Sequence, residues 1–154
     1  MGQRRYQTHG FIPISSPPAR VTRLAADVNI VKGDALHDNG TGYATNETTA
    51  FAATFLGIAA ANCDNSGASG LSVEIYPLDF NTLYIVPVAA NAVITQTVVG
   101  TYCNLSNNDD IAINTNPSEG IAFFVEEIDA SATAITANTY GYAIGRFRVV
   151  GTQT

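Results

Sequence analysis

His37 stands between Asp34 and Asp38, and a histidine flanked by carboxylates is the arrangement that can hold a metal ion or relay a proton. The second histidine, His9, lies far upstream, so no further imidazole completes a ligand set, and His37 is expected in a solvent-facing turn. Asp109-Asp110, preceded by Asn107-Asn108, offers oxygen ligands suited to Ca²⁺ but lacks the spaced acids and bidentate glutamate of a calcium loop. Glu126 and Glu127 are adjacent on an expected strand, where successive side chains point to opposite faces and cannot act together. Cys63 has no neighbouring His or Lys to favour its thiolate. No glycine-rich phosphate loop occurs. The sequence therefore leads us to expect no enzyme, no metal and no cofactor.

The elements that would position any site divide by charge. Residues 1–25 carry Arg4, Arg5, Arg20 and Arg23 and no carboxylate, a formal charge of +4. Residues 26–154 carry Lys32, Arg146 and Arg148 against all 13 acids, a formal charge of −10. Such asymmetry marks an arm whose partner differs from the surroundings of the body. Pro13, Pro17 and Pro18 forbid a helix or central strand over the basic stretch, so it reads as an extended strap. Its apolar Phe11, Ile12 and Ile14 argue for docking, because a solvated tail has little use for them. The expected organisation is an extended arm over 1–25 and one domain over 26–154. The expected partner-binding residues are Arg4, Arg5, Phe11, Ile12, Ile14, Arg20 and Arg23.

Charged residues make up 13% of the chain, against about 25% in ordinary proteins. Ala, Thr, Asn and Gly (22, 17, 13 and 13 residues) dominate, and lysine occurs once. A surface solvated by hydroxyls and amides suits extensive subunit contacts. The net charge of −6 argues against nucleic acid as a partner of the body. No apolar run reaches the roughly 18–20 residues of a membrane helix. The opening residues lack a secretory apolar core, and Tyr6 occupies the Ser/Thr position of a myristoylation signal. Cys63 and Cys103 are accordingly expected to be reduced packing residues. The sequons at Asn46-Glu47-Thr48 and Asn104-Leu105-Ser106 are expected to carry no glycan.

From residue 26 onward the periodicity is that of strands. Asp38-Asn39-Gly40 is a tight-turn signal, since both Asn and Gly tolerate positive φ. Leu71, Val73 and Ile75 alternate with Ser72, Glu74 and Tyr76 until Pro77. Leu83–Val86, Val93–Val98, Ile111–Ile113, Ile121–Glu126 and Tyr140–Val150 read as further strands, with a polar loop over 104–110. In the last strand Tyr142, Ile144, Arg146 and Arg148 face one way, and Ala143, Gly145, Phe147 and Val149 the other. Phe51–Asn62 is alanine-rich enough for a helix, but Thr54, Gly57 and flanking turns favour a strand. About eight short strands at this spacing imply an all-β sandwich or barrel-like domain.

Val31-Lys32-Gly33-Asp34-Ala35-Leu36, Phe55-Leu56-Gly57-Ile58-Ala59 and Gly70-Leu71-Ser72-Val73-Glu74-Ile75-Tyr76 resemble the capsid decoration (cement) proteins of tailed bacteriophages. Tyr142-Ala143-Ile144-Gly145-Arg146-Phe147 looks like the closing strand of the same kind of domain. The 25-residue arm departs from relatives that carry little before the first strand. The resemblance implies a β-rich, usually trimeric knob that clamps neighbouring subunits of the major capsid protein on the virion exterior, with no active site to transfer. A receptor- or carbohydrate-binding β-domain of a head fibre or spike is the rival expectation. Seven tyrosines favour that rival and the lack of tryptophan weighs against it.

Overall fold

The alternation of Val73 and Ile75 with Ser72 and Glu74 becomes an edge-supported strand with one buried face, and the same logic builds the rest of the chain. The computed structural model describes residues 9–46, 55–65, 67, 71–89, 94–107, 109–113, 120–129, 135–136 and 139–150. Its strands are β1 (Ile12–Pro13), β2 (Val21–Leu24), β3 (Asn29–Ile30), β4 (Ala35–Asp38), β5 (Ala44–Thr45), β6 (Phe55–Ala59), β7 (Cys63–Asp64) and β8 (Ser72–Pro77). They continue with β9 (Tyr84–Pro87), β10 (Tyr102–Asn107), β11 (Asp110–Ala112), β12 (Gly120–Asp129), β13 (Ile135–Thr136), β14 (Thr139–Tyr140) and β15 (Tyr142–Val150). The fold is all-β, with antiparallel sheets packed together in a small sandwich-like domain.

One sheet runs β1-β9-β15-β12-β10-β11 and the other β2-β8-β6-β4-β5. Both curl until their ends meet. A parallel bridge joins Ala25 to Ala44 at the margins of the five-stranded sheet, and another joins Val88 to Ile111 in the six-stranded one. The ribbon β3–β7 adds Ile30 and Cys63 beneath the five-stranded sheet.

The main core lies between the sheets. Tyr84, Val86, Phe123, Val125, Ala143 and Phe147 face Ala35 and Ile58 across it. A second core of Leu36, Ala59, Val73 and Ile75 fills the other face of the five-stranded sheet under Ile30 and Cys63. The two faces expected of β15 are those observed: Phe147 is in the main core, whereas Arg146 reaches Glu126 at the surface. Phe55–Ala59 is a strand: its β-branched isoleucine favours one, and Gly57 weighs against the helix alternative.

Four local expectations are corrected. His37 lies within β4, opposite Thr45 and Phe55, because the strand runs on through Asp38 and the turn begins only at Asn39. Residues 104–107 belong to β10 and 110–112 to β11, so the polar run is mostly a hairpin whose amides pair across strands. Gln96–Val98 is a 3-10 turn, with Val98 N–H bonded to Thr95 carbonyl and the Val98 side chain buried. A bulge between Val125 and Glu127 interrupts the simple alternation expected at the two glutamates.

Burial pushes the phenols of Tyr84 and Tyr142 above their ordinary value. A raised folded-state value means their contribution is fully present below about pH 10, the unfolded value, and is lost as pH rises beyond it. We therefore expect the melting temperature to fall above about pH 10. Tyr84→Phe should flatten that decline; a Tyr84→Phe profile superimposable on the wild type would show that the decline has another source.

Candidate binding surface

His9 lies between two carboxylates delivered by different sheets. Its Nε2 is 2.5 Å from Asp34 Oδ1 and its Nδ1 is 3.2 Å from Asp109 Oδ2. Asp34 precedes β4 and is fully buried, and its Oδ2 accepts the Val31 N–H (2.9 Å) and the Asn46 amide (2.8 Å). Asp109 precedes β11, and its carbonyl accepts the Gly10 N–H at 3.1 Å. Both Asp34 oxygens already carry hydrogen bonds, so this cluster is a clasp between the two sheets. Asp34→Ala would strand several donors, each costing about 1–3 kcal/mol when buried. We expect a lower denaturant midpoint for Asp34→Ala than for His9→Ala, which leaves Asp34 two of its donors.

The residues expected to form an arm are next along the chain. Phe11 N–H donates to Gly33 carbonyl (2.9 Å), and the Phe11 ring is 1% exposed. That ring is 6.4 Å from the Tyr84 ring, 5.6 Å from Phe123 and 5.3 Å from Phe147. Ile12 and Pro13 pair with Ile85 and Tyr84, and Ile14 N–H reaches Leu83 carbonyl (2.8 Å). With Ile14 bonded to β9, the alternation of an antiparallel ladder turns Pro13's missing N–H away from it. Arg20 meets Glu74 at 2.8 Å and lies over the Tyr76 ring, while Arg23 pairs with Asp38. The Glu74 bond is the main cause that raises the Arg20 pKa, and the Gly40 and Gly42 N–H groups lower that of Asp38.

These positions correct the expectation that the stretch leaves the body. Residues 9–25 supply an edge strand to each sheet, because their apolar side chains have a cavity within the same chain to fill. Phe11, Arg20 and Arg23 have in-chain partners; Ile12 is half-buried and Ile14 is 49% exposed. Arg4 and Arg5 lie outside the described residues.

A second surface is the outer face of the six-stranded sheet. Tyr102, Phe124 and Arg146 align across β10, β12 and β15, with the two rings 5.0 Å apart. Arg146 Nη1 donates to both Glu126 oxygens (2.6 and 2.7 Å), and its Nε to Asn81 carbonyl (3.1 Å). Arg148 donates to the Phe80 carbonyl. Asp79 accepts the Asn81 and Thr82 N–H groups at 2.8 Å, bracing the turn that displays Phe80. Burial alone would raise the Asp79 pKa, but these bonds hold it below the usual value. Aromatic and arginine side chains on a braced frame are the composition of protein-binding hot spots.

Cys63 and Cys103 are free and buried, and burial pushes both thiols up, away from the nucleophilic form. Among the described residues no group of three His, Cys, Asp or Glu is placed to hold a metal, and no helix is long and apolar enough to cross a membrane. The clasp was invisible to spacing, since positions 9, 34 and 109 share no sequence period. No protein-family model matches the chain, and comparisons with curated proteins and with solved structures find no match.

Proposed function

We propose that this chain is a structural virion protein, a decoration or cement protein that binds the outer surface of a capsid shell and bridges neighbouring subunits. The observation that carries the reading is the distribution of exposed large apolar residues. Val21, Leu24 and Leu71 lie at the β2 margin, Ile14 beside β1, and Phe80, Tyr102 and Val149 on or near the six-stranded sheet. They are spread around the domain instead of converging on one cleft, as a bridge between several subunits requires. Many modest contacts, repeated by a homotrimer, add up through avidity with no single deep pocket. The low charge and the resemblance of the β-strand segments to phage cement proteins support the same reading. Its partners are then the major capsid protein and further copies of itself, with no nucleic acid or membrane.

The test is a census of purified virions by mass spectrometry, followed by rebinding of the purified protein to stripped particles. The protein should be stoichiometric on virions, and Phe80→Ser/Tyr102→Ser or Leu24→Ser/Leu71→Ser should cut rebinding at least tenfold. Absence from virions, with binding to host glycans by the free protein, would replace this reading with that of a receptor-binding domain.

A further inference from the structure

Residues 9–14 form a strap whose Phe11 ring fills an aromatic socket made by Tyr84, Phe123 and Phe147. At the head of this seat each nitrogen of the His9 ring meets a carboxylate, Nε2 that of Asp34 and Nδ1 that of Asp109. An ionised carboxylate only accepts hydrogen bonds, and a neutral imidazole carries a single N–H, so the neutral ring can serve one of the two. Closing both gaps takes a second proton. Which atom holds it does not alter the count: an imidazolium between two carboxylates contains as many protons as a neutral ring beside one protonated carboxyl. Among the described residues these two carboxylates are the charged groups within ion-pair distance of the ring. The other partners of the Asp34 carboxylate, the Val31 N–H and the Asn46 amide, do not titrate. The His9 and Asp109 side chains are 34% and 31% exposed, so water can deliver and remove the proton.

We infer that this clasp is a proton-gated latch between the two sheets: its closed form holds one proton more than its open form, and it opens as pH rises. Histidine ordinarily changes charge between about pH 5 and 8, which sets the range. Because the closed form binds the extra proton, acid favours it. Once the open form has lost its own proton, each further pH unit lowers the closed-to-open ratio by up to tenfold. Loss of the proton leaves a nitrogen lone pair facing a carboxylate oxygen, a repulsion in place of a hydrogen bond. The Asp109 side parts first. It is the longer contact, 3.2 Å against 2.5 Å, and its oxygens can turn to water, whereas the buried Asp34 must keep its donor. The Gly10 N–H, bonded to the Asp109 carbonyl, is released with it, while Phe11 stays tied to Gly33 and to its socket. Opening thus frees the entry of β11 from the head of the strap and loosens the junction of the sheets. The latch does not depend on what the protein binds, so it stands or falls apart from the decoration reading.

Asp109→Asn is the deciding variant. Its amide can accept from a ring N–H or donate to a bare ring nitrogen, so the clasp closes without the extra proton. Urea unfolding of the full chain is followed from about pH 5.5 to about pH 8.5, the span of histidine titration. Over that span the wild-type unfolding constant should rise at least fivefold more than that of Asp109→Asn. His9→Gln, which has no titrating ring, should give the same flatter profile, and it carries the comparison if Asp109→Asn does not fold. A second readout looks at the folded protein: the exchange rate of the Gly10 amide divided by that of the Phe11 amide, a ratio from which the intrinsic effect of pH on exchange cancels. The ratio should rise at least fivefold with pH in the wild type and stay level in the folded variant. Parallel unfolding profiles for the wild type and the variants overturn the inference, and so does a wild-type Gly10-to-Phe11 ratio independent of pH.

Discussion

Phe11→Ala should lower the stability of the domain by about 3–5 kcal/mol, the cost of truncating a fully buried phenylalanine. The ring is in edge or tilted contact with Tyr84, Phe123 and Phe147, so its removal opens a cavity lined by three aromatics on the adjacent strands β9, β12 and β15. Those rings are themselves in mutual contact, Tyr84 with Phe147 at 5.5 Å and Phe123 with Phe147 at 5.6 Å, so they resist collapsing into the space. For a chain of this size the melting temperature should drop by roughly 6–20 °C. Phe11→Leu keeps much of the volume and should recover about half of the loss. A drop of less than about 2 °C for Phe11→Ala would mean that the ring does not fill the core.

Gly57→Ala should be nearly as damaging for a different reason. Gly57 lies in β6 at φ 145°, a region closed to residues with a Cβ, and an added Cβ would fall 2.0 Å from the Tyr76 carbonyl oxygen on β8. That atom is backbone and cannot rotate aside, so β6 and β8 must part and lose pairing beside both cores. Conformational strain of about 1–3 kcal/mol adds to an overpacking cost of about 1–3 kcal/mol. Gly67→Ala is the control, with a positive φ of 87° but open space around the would-be Cβ, and should cost only about 1–2 kcal/mol. Equal effects at the two positions, measured by denaturant unfolding, would refute the close-approach explanation.

The strands rich in alternation were legible before any coordinates. Ser72–Pro77 and Tyr142–Val150 read off residue by residue, because one wet and one dry face impose a period of two. The hairpin loop after β4 was legible too: Asn39 and Asp38 side chains accept local N–H groups from Thr41, Gly40 and Gly42, chemistry that is local in sequence. The strap was misread for a physical reason. Phe11, Ile12 and Ile14 announce that something must be covered or filled, but not whether the cavity belongs to the same chain. The polar stretch at 104–110 misled because Asn and Ser pair in a ladder as well as any residue when the opposite strand supplies partners. Nothing in spacing could bring His9 to Asp34 and Asp109, since that meeting follows from how the two sheets stack.

The seat of the strap has a consequence for synthesis on the ribosome. Phe147, which closes the socket, follows Ile14 by about 130 residues, and Tyr84, Asp109 and Phe123 are made only on the way there. At about 5–20 residues per second, a nascent strap waits roughly 7–26 seconds for its own seat to exist. Seating of the strap is thus a late event, completed only once the last strand has been made.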